Sequence, residues 1–376
     1  MRRTAPALLA VLALSACSGT SDKPKADTPK AAALTVSLSD AGCALTGTSA
    51  AAGAVTLDIT NEGTDKYDEV YVLQGKKIEG EKEGVGKGKT GSLTLTLTEG
   101  SYALHCPGDA TDDPFTITAS GASAAPAADD AAEQKAATVA YAQYVKDQVA
   151  EEVTATKALT DAVRKGDLAA AAAAYPAARV NYERIEPVAE SFGDLDPAVD
   201  ARIADVPSVA KWTGYHRLEY AIFKEKSLAG MTAVADGLDA NVLKLQTLVA
   251  TETYDATDLA NGASELLDEV AKSKITGEEE NYSHIDLVDF QANVDGARKA
   301  FELLEPALQK RDAALATKIS AAFDAVDNGL KPYRTGTGAT DFKLYSSVPA
   351  AEQRVLAGLV DALAEPLSKV AAELVS

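Results

Sequence analysis

The side chains best placed for chemistry fall in three short segments of the C-terminal part of the chain: Tyr182–Pro187, Gly214–Glu219 and Gly277–Asn293. His216 and Glu219 are three residues apart and share one face if the segment is helical. An imidazole nitrogen and a carboxylate on one rigid element can supply part of a metal shell, and other helices must supply the rest. Taken alone, His-x-x-Glu also describes an ordinary surface pair. It is not the His-Glu-x-x-His of zinc peptidases, because Arg217 and Tyr220 stand where the general base and second histidine would be. Glu183 and Glu186 repeat the three-residue spacing, as do Asp286 and Asp289, with His284 just upstream. Glu183 and Glu186 also read as an ordinary solvated pair, and Asp286 could simply cap a following helix. If His216 is a ligand, binding should weaken below about pH 6, where protonation removes its lone pair.

The three cysteines separate into two groups. Cys17 follows Arg2-Arg3, an apolar run from Ala5 to Ala13, and Leu14-Ser15-Ala16. A charged start and a short apolar run make a secretion signal. The Leu-Ser-Ala-Cys ending resembles the bacterial lipoprotein box, which predicts lipidation of Cys17. Cys43 and Cys106 then have two readings. In an oxidising compartment they form a disulfide; as thiolates they could bind a metal with His105 and carboxylates such as Glu69, Glu81 and Glu83. A blue-copper centre needs two histidines, a cysteine and usually an axial methionine. This region has one histidine and no methionine, since the only methionines are Met1 and Met231. The run Glu81-Lys82-Glu83 by itself reads as a solvated loop.

Those residues need two kinds of scaffold. At 376 residues the chain has room for two domains. Its net charge of −20 and lack of a basic stripe argue against nucleic acid as a partner. No apolar run after the signal is long enough to span a bilayer, so membrane contact is expected through the lipid anchor only. From residue 34 the hydrophobic period is two: Val55, Leu57 and Ile59, then Leu93, Leu95 and Leu97, alternate with polar residues. Short strands separated by turns predict an all-β Greek-key sandwich over 34–120. From residue 133 the period becomes 3.6, with Val145, Val149 and Val153 stacking on one face, and an all-α bundle is expected to residue 376. Asp167 should cap a helix that Pro176 kinks or restarts. The expected layout is therefore signal peptide 1–16, tether 17–33, sandwich 34–120, linker 121–132 and helical domain 133–376.

Taken together, Tyr182–Pro187, Gly214–Glu219 and Ser283–Asn293 resemble the imelysin-like domain of the EfeO family, the extracytoplasmic components of EfeUOB iron-uptake systems. In that family the helical domain follows a cupredoxin-like domain with two cysteines, matching residues 34–120 in order and size. The resemblance implies that His216 and Glu219 are metal ligands, completed by Glu183 and Asp289; Cys43, Cys106 and Glu69 stay as candidate ligands of the sandwich from their residue types alone. It implies a binding protein that captures iron, Fe3+ or Fe2+, and delivers it to a ferric permease (EfeU-like) alongside a haem peroxidase (EfeB-like). Ferrous oxidation in the cupredoxin-like half is a further implied role. Copper and zinc fit the same donors. Two other functions remain open, a metal-dependent hydrolase, since the helical family is catalogued with peptidases, and binding of an acidic polysaccharide.

Overall fold

The computed structural model of the protein describes residues 32–109, 111–118, 128–272 and 274–375. Cys17, the signal segment and nearly all of the tether lie outside the described residues. Nine strands precede ten α-helices among the described residues, in the order expected for a β-domain followed by an α-domain.

The strands are β1 (Ala32–Ser39), β2 (Gly42–Thr46), β3 (Ser49–Ala51), β4 (Gly53–Asn61), β5 (Val70–Gln74), β6 (Lys77–Lys82), β7 (Thr90–Leu97), β8 (Gly100–His105) and β9 (Asp113–Thr118). They form two sheets, ordered β2-β1-β4-β7 and β3-β9-β8-β5-β6. β1 runs parallel to β4, and β3 parallel to β9, so the chain crosses over rather than meandering. The period-two positions do what alternation requires. Val55 lies opposite Leu95 and Leu57 opposite Leu93, and all four are buried against Val70, Val72, Leu104, Phe115 and Ile117. Each such aliphatic side chain contributes about 1.5–3 kcal/mol by leaving water.

Cys43 on β2 and Cys106 just after β8 are joined as a disulfide that ties one sheet to the other. Both sulfurs are used in that bond, so neither cysteine offers a thiolate, and the metal-ligand reading of this pair is corrected. The loop it closes spans 63 positions.

The helices are α1 (Ala128–Lys165), α2 (Leu168–Glu183), α3 (Leu195–Asp200), α4 (Gly214–Glu219), α5 (Thr232–Val249), α6 (Ala256–Lys272), α7 (Asp286–Arg311), α8 (Ala313–Leu330), α9 (Ala350–Leu367) and α10 (Val370–Val375). Asp167 caps α2 by accepting from the Ala170 N–H. α2 continues through Pro176 to Glu183 instead of restarting there. Packing of its buried face, Ala171, Tyr175, Ala178 and Tyr182, outweighs the one backbone bond that proline removes. α6 lies centrally, with Leu259, Ala263, Leu266, Leu267 and Val270 buried against α7 and α9.

α6 also joins the domains. Lys82 Nζ on β6 donates to Glu265 at 2.7 and 3.0 Å and to Asp268 at 3.2 Å, and Asn261 Nδ2 donates to Thr94 O at 2.8 Å. Glu81, Lys82 and Glu83 are therefore part of a strand end packed on the helical domain, not a solvated loop. Because successive side chains of a strand alternate, Glu81 and Glu83 share a side while Lys82 points to α6.

Candidate metal centre

Four elements converge on one buried cluster. On α2, Tyr175, Arg179 and Glu183 lie four residues apart and project from one face. Asp200 ends α3. His216 and Glu219 come from α4. Glu279 and Glu280 lie in the turn before α7, and Asp289 lies in its first turn. Gly214 fixes the start of α4: its φ is +80°, and a Cβ there would collide with the Val199 carbonyl. α4 then passes into a π-helical turn, Tyr220–Glu225, a feature common at functional sites.

His216 and Glu219 meet Glu280, whereas Glu183 and Asp289 meet Glu279, so the four expected residues fall into two separate groups of one buried cluster. In the first half, around Arg179, cations already occupy the space between the acids. Arg179, with no exposed surface, pairs with Glu183 and Asp200, reaches Glu279 at 3.1 Å and Glu280 at 3.1 Å, and lies 3.5 Å from Asp289. Lys274 pairs with Glu186 and stands 3.6 and 3.7 Å from Glu183 and Glu279. Asn293 Nδ2 donates to Glu183 at 2.9 Å. Burial disfavours the charge on Glu183, but Arg179 and Lys274 outweigh it and hold the carboxyl below its usual range. Burial likewise opposes the charge on Glu279, which Lys274, His216 and Arg179 hold well below the usual range.

In the second half, buried polar atoms face one another without hydrogen bonds. Neither ring nitrogen of His216 makes a hydrogen bond, nor does Glu219 Oε2, nor either carboxylate oxygen of Asp289. The His216 side chain is 2% exposed and that of Asp289 1%. Nδ1 lies 3.7 Å from Glu219 Oε2, while Nε2 faces Glu279 at 3.3 Å and Asp200 at 3.5 Å. Glu219 is aimed by its other oxygen, which accepts from the Tyr282 and Ser283 N–H groups at 2.7 Å each. Glu280 accepts from Tyr175 at 3.0 Å and from Ser283. His216, Glu219 and Glu280 each bring a donor atom to within 4.8 Å of the others.

The electrostatics of this half follow from burial. Burial, then the charges of Glu219 and Asp289, pushes Glu280 well above the usual carboxylate range; burial, then Glu183, does the same for Asp289. Burial and Arg179 work against protonation of His216, but Asp200, Glu219 and Glu279 outweigh both and push its pKa up to about 10. Proton competition therefore reaches far above the pH 6 expected from an ordinary histidine. Leaving several buried polar atoms unpaired costs about 1–3 kcal/mol each, a cost that a bound cation would remove.

Glu280, Glu279 and Asp200 were not singled out from sequence. Glu279 and Glu280 lie inside the distinctive Gly277–Asn293 segment, so their proximity to Asp289 was available as a signal. Nothing marks Asp200, which reaches the cluster only through the placement of α3. Asp286 serves locally, accepting from the Glu280 N–H at 3.1 Å and so shaping the turn that presents Glu280. His284 adopts a left-handed φ of 59° and is not among the clustered groups.

In the sandwich, Glu69 groups not with the cysteines but with Glu81 and Glu83, within 4.8 Å. His105 is taken by Asp112, Nδ1 to carboxylate 2.7 Å. Burial first, then neighbouring acids including Glu269, pushes Glu83 up to about 8. Glu81 and Glu83 of this triad line an interdomain cleft of about 500 Å³, whose lining continues past Glu190 and Glu269 to Arg202, Asp200 and Glu279.

The fold is a β-sandwich docked on a helical bundle that buries an imidazole among carboxylates. Residues 137–370 match the family model described as Imelysin, and the chain belongs to that family. It is 40% identical over 315 residues to the iron uptake system component EfeO of Yersinia pseudotuberculosis serotype I (strain IP32953), covering 83% of each chain. It is 38% identical over 350 residues to the iron uptake system component EfeO of Escherichia coli O157:H7, covering 92% of this chain and 91% of that one. The resemblance read from the three helical motifs agrees with these matches. Among the described residues, no helix is long and apolar enough to cross a membrane.

Proposed function

We propose that this chain is an extracytoplasmic iron-binding protein, anchored through lipidated Cys17, that captures iron and delivers it to a ferric permease alongside a haem peroxidase. The names of its relatives support the iron-uptake setting. The observation that carries the reading is the set of buried, unpartnered donor atoms of His216, Glu219 and Asp289 around Glu280. Oxygen donors with one imidazole suit Fe3+ and Fe2+, and also admit zinc or copper. Iron is cargo here, not a resident cofactor, and the role is not enzymatic. Glu183 belongs to the site as the partner that holds Arg179, and Glu69 with Glu81 and Glu83 forms an outer acidic station on the cleft.

The competing functions fit less well. A peptidase must admit a peptide to its metal-bound water, whereas His216 is almost wholly enclosed. An acidic polysaccharide would meet a cleft lined mostly by carboxylates. Titration of the metal-free mature protein with Fe3+, Fe2+, Cu2+ and Zn2+ in parallel tests the proposal. One tight iron site per chain, lost in His216→Ala and Glu219→Ala, is the expected result. Equal iron binding by parent and both variants would overturn it.

A further inference from the structure

The interdomain cleft ends against the buried cluster. Asp200 and Glu279 line it, and the same two carboxylates stand 3.5 and 3.3 Å from His216 Nε2. A single carboxylate therefore separates the cleft from the imidazole. Eleven of the residues that line the cleft are acidic and two, Lys76 and Arg202, are basic. Lys76 belongs to the rim, its side chain 91% exposed. Arg202 stands at the inner end, where one guanidinium nitrogen lies 3.3 Å from Glu279 Oε2 and another 3.1 Å from Glu269. We infer that the cleft is the ion's route to the buried donors and that Arg202 is its gate, a guanidinium that must leave Glu279 before an ion can pass.

This rests on the iron-binding reading of the same cluster and adds how the ion reaches it. A cleft lined by one sign of charge focuses its field and draws in the opposite ion. Three cations surround Glu279, and they differ in their freedom to move. Arg179 has no exposed surface and Lys274 is 4% exposed, and each is also tied to buried acids beyond Glu279. The Arg202 side chain is 28% exposed, and its other partners, Glu269 and Asp205, are 25% and 48% exposed. Ion pairs so open to water are weak. The Arg202 backbone is fixed, its N–H donating to Asp205 at 2.9 Å, so the side chain can turn while the chain stays. A turn toward Asp205 keeps the guanidinium paired and uncovers Glu279. Because Arg202 closes the route both before and after the ion passes, its loss should lower the barrier in both directions.

The test compares the metal-free mature protein with Arg202→Gln and Arg202→Lys in rapid mixing. Each is mixed with Fe2+ under argon and, separately, with Fe3+ as its nitrilotriacetate chelate, and the ion that the parent binds is followed throughout. Uptake, and release into excess chelator, are timed by quenching of Trp212, the only tryptophan, which lies just before α4. Arg202→Gln should take up and release iron on the order of tenfold faster. Its affinity should stay within about threefold of the parent, because the lost pair is partly solvated and screened. Arg202→Lys keeps the charge but not the fork that spans Glu269 and Glu279, and should fall between the two. Faster uptake with slower release would make Arg202 a mere repelling charge, and faster release with weaker binding would make it a support of the site. Either result, or unchanged rates, would overturn the inference while leaving iron binding intact. A parent that binds neither ion would overturn both.

Discussion

The two halves of the buried cluster are built from the same residue types and separated by one imidazole ring, yet they are in opposite states. On the Arg179 side Glu183, Asp200 and Glu279 are matched by guanidinium and ammonium groups. On the other side His216 Nδ1, Glu219 Oε2 and both oxygens of Asp289 make no hydrogen bond, although Asp289 lies 3.5 Å from Arg179. Acid content alone therefore does not distinguish the two halves; the pairing of the acids does. The fixed cations of the first half neutralise its acids, and the second half leaves His216, Glu219 Oε2 and Asp289 without hydrogen bonds.

The largest effect should come from breaking the paired half. Arg179→Met would leave at least Glu183 and Asp200 buried without their cation, and should lower unfolding free energy by about 3–5 kcal/mol, measured by urea denaturation of the metal-free protein. A similar loss is expected far from either half. Replacing Cys43 and Cys106 by alanine should remove about 4 kcal/mol of chain-entropy stabilisation from the sandwich. Iron affinity should stay at the parent value, because the disulfide touches neither half.

Glu280→Gln sharpens the contrast in the other direction. It should leave the unfolding free energy within about 1 kcal/mol of the parent and weaken iron binding on the order of tenfold or more, read by titration. The smallest effect concerns protons. The pKa of His216 lies above its ordinary value of 6.5, at about 10, so its charge stabilises the metal-free fold fully below 6.5, and that contribution fades as pH rises through about 10. Iron must displace this proton. Binding at neutral pH should release protons, and affinity should climb between pH 6 and 9; calorimetry in buffers of different ionisation enthalpy measures both.

Much of this was legible in the chain itself. The alternation at Val55–Ile59 and Leu93–Leu97 set two strands and their buried faces, and the spacing of His216 and Glu219 put both on one helix face. Asp289 stood in a distinctive block. What escaped was whatever depended on tertiary neighbours. Glu183 looked as free as Asp289, and its four-residue spacing from Arg179 did not reveal that the guanidinium would turn inward instead of to solvent. Glu280 lay inside the distinctive Gly277–Asn293 segment, but nothing in the run of three glutamates told which of them would turn inward. Glu81 and Glu83 looked solvated because the domain that covers them lies more than 100 residues away in the chain. Cys43 and Cys106 admitted two chemistries, and only their placement on facing sheets decided for the disulfide.

The contrast between the halves is tested most directly by anomalous diffraction at the iron edge from crystals of the iron-loaded protein. The account predicts one strong peak bounded by His216 Nδ1, Glu219, Glu280 and Asp289, with Arg179 still paired to Glu183 and Asp200. A peak between Glu183 and Glu279 with Arg179 displaced, or no peak in the cluster at all, would contradict it.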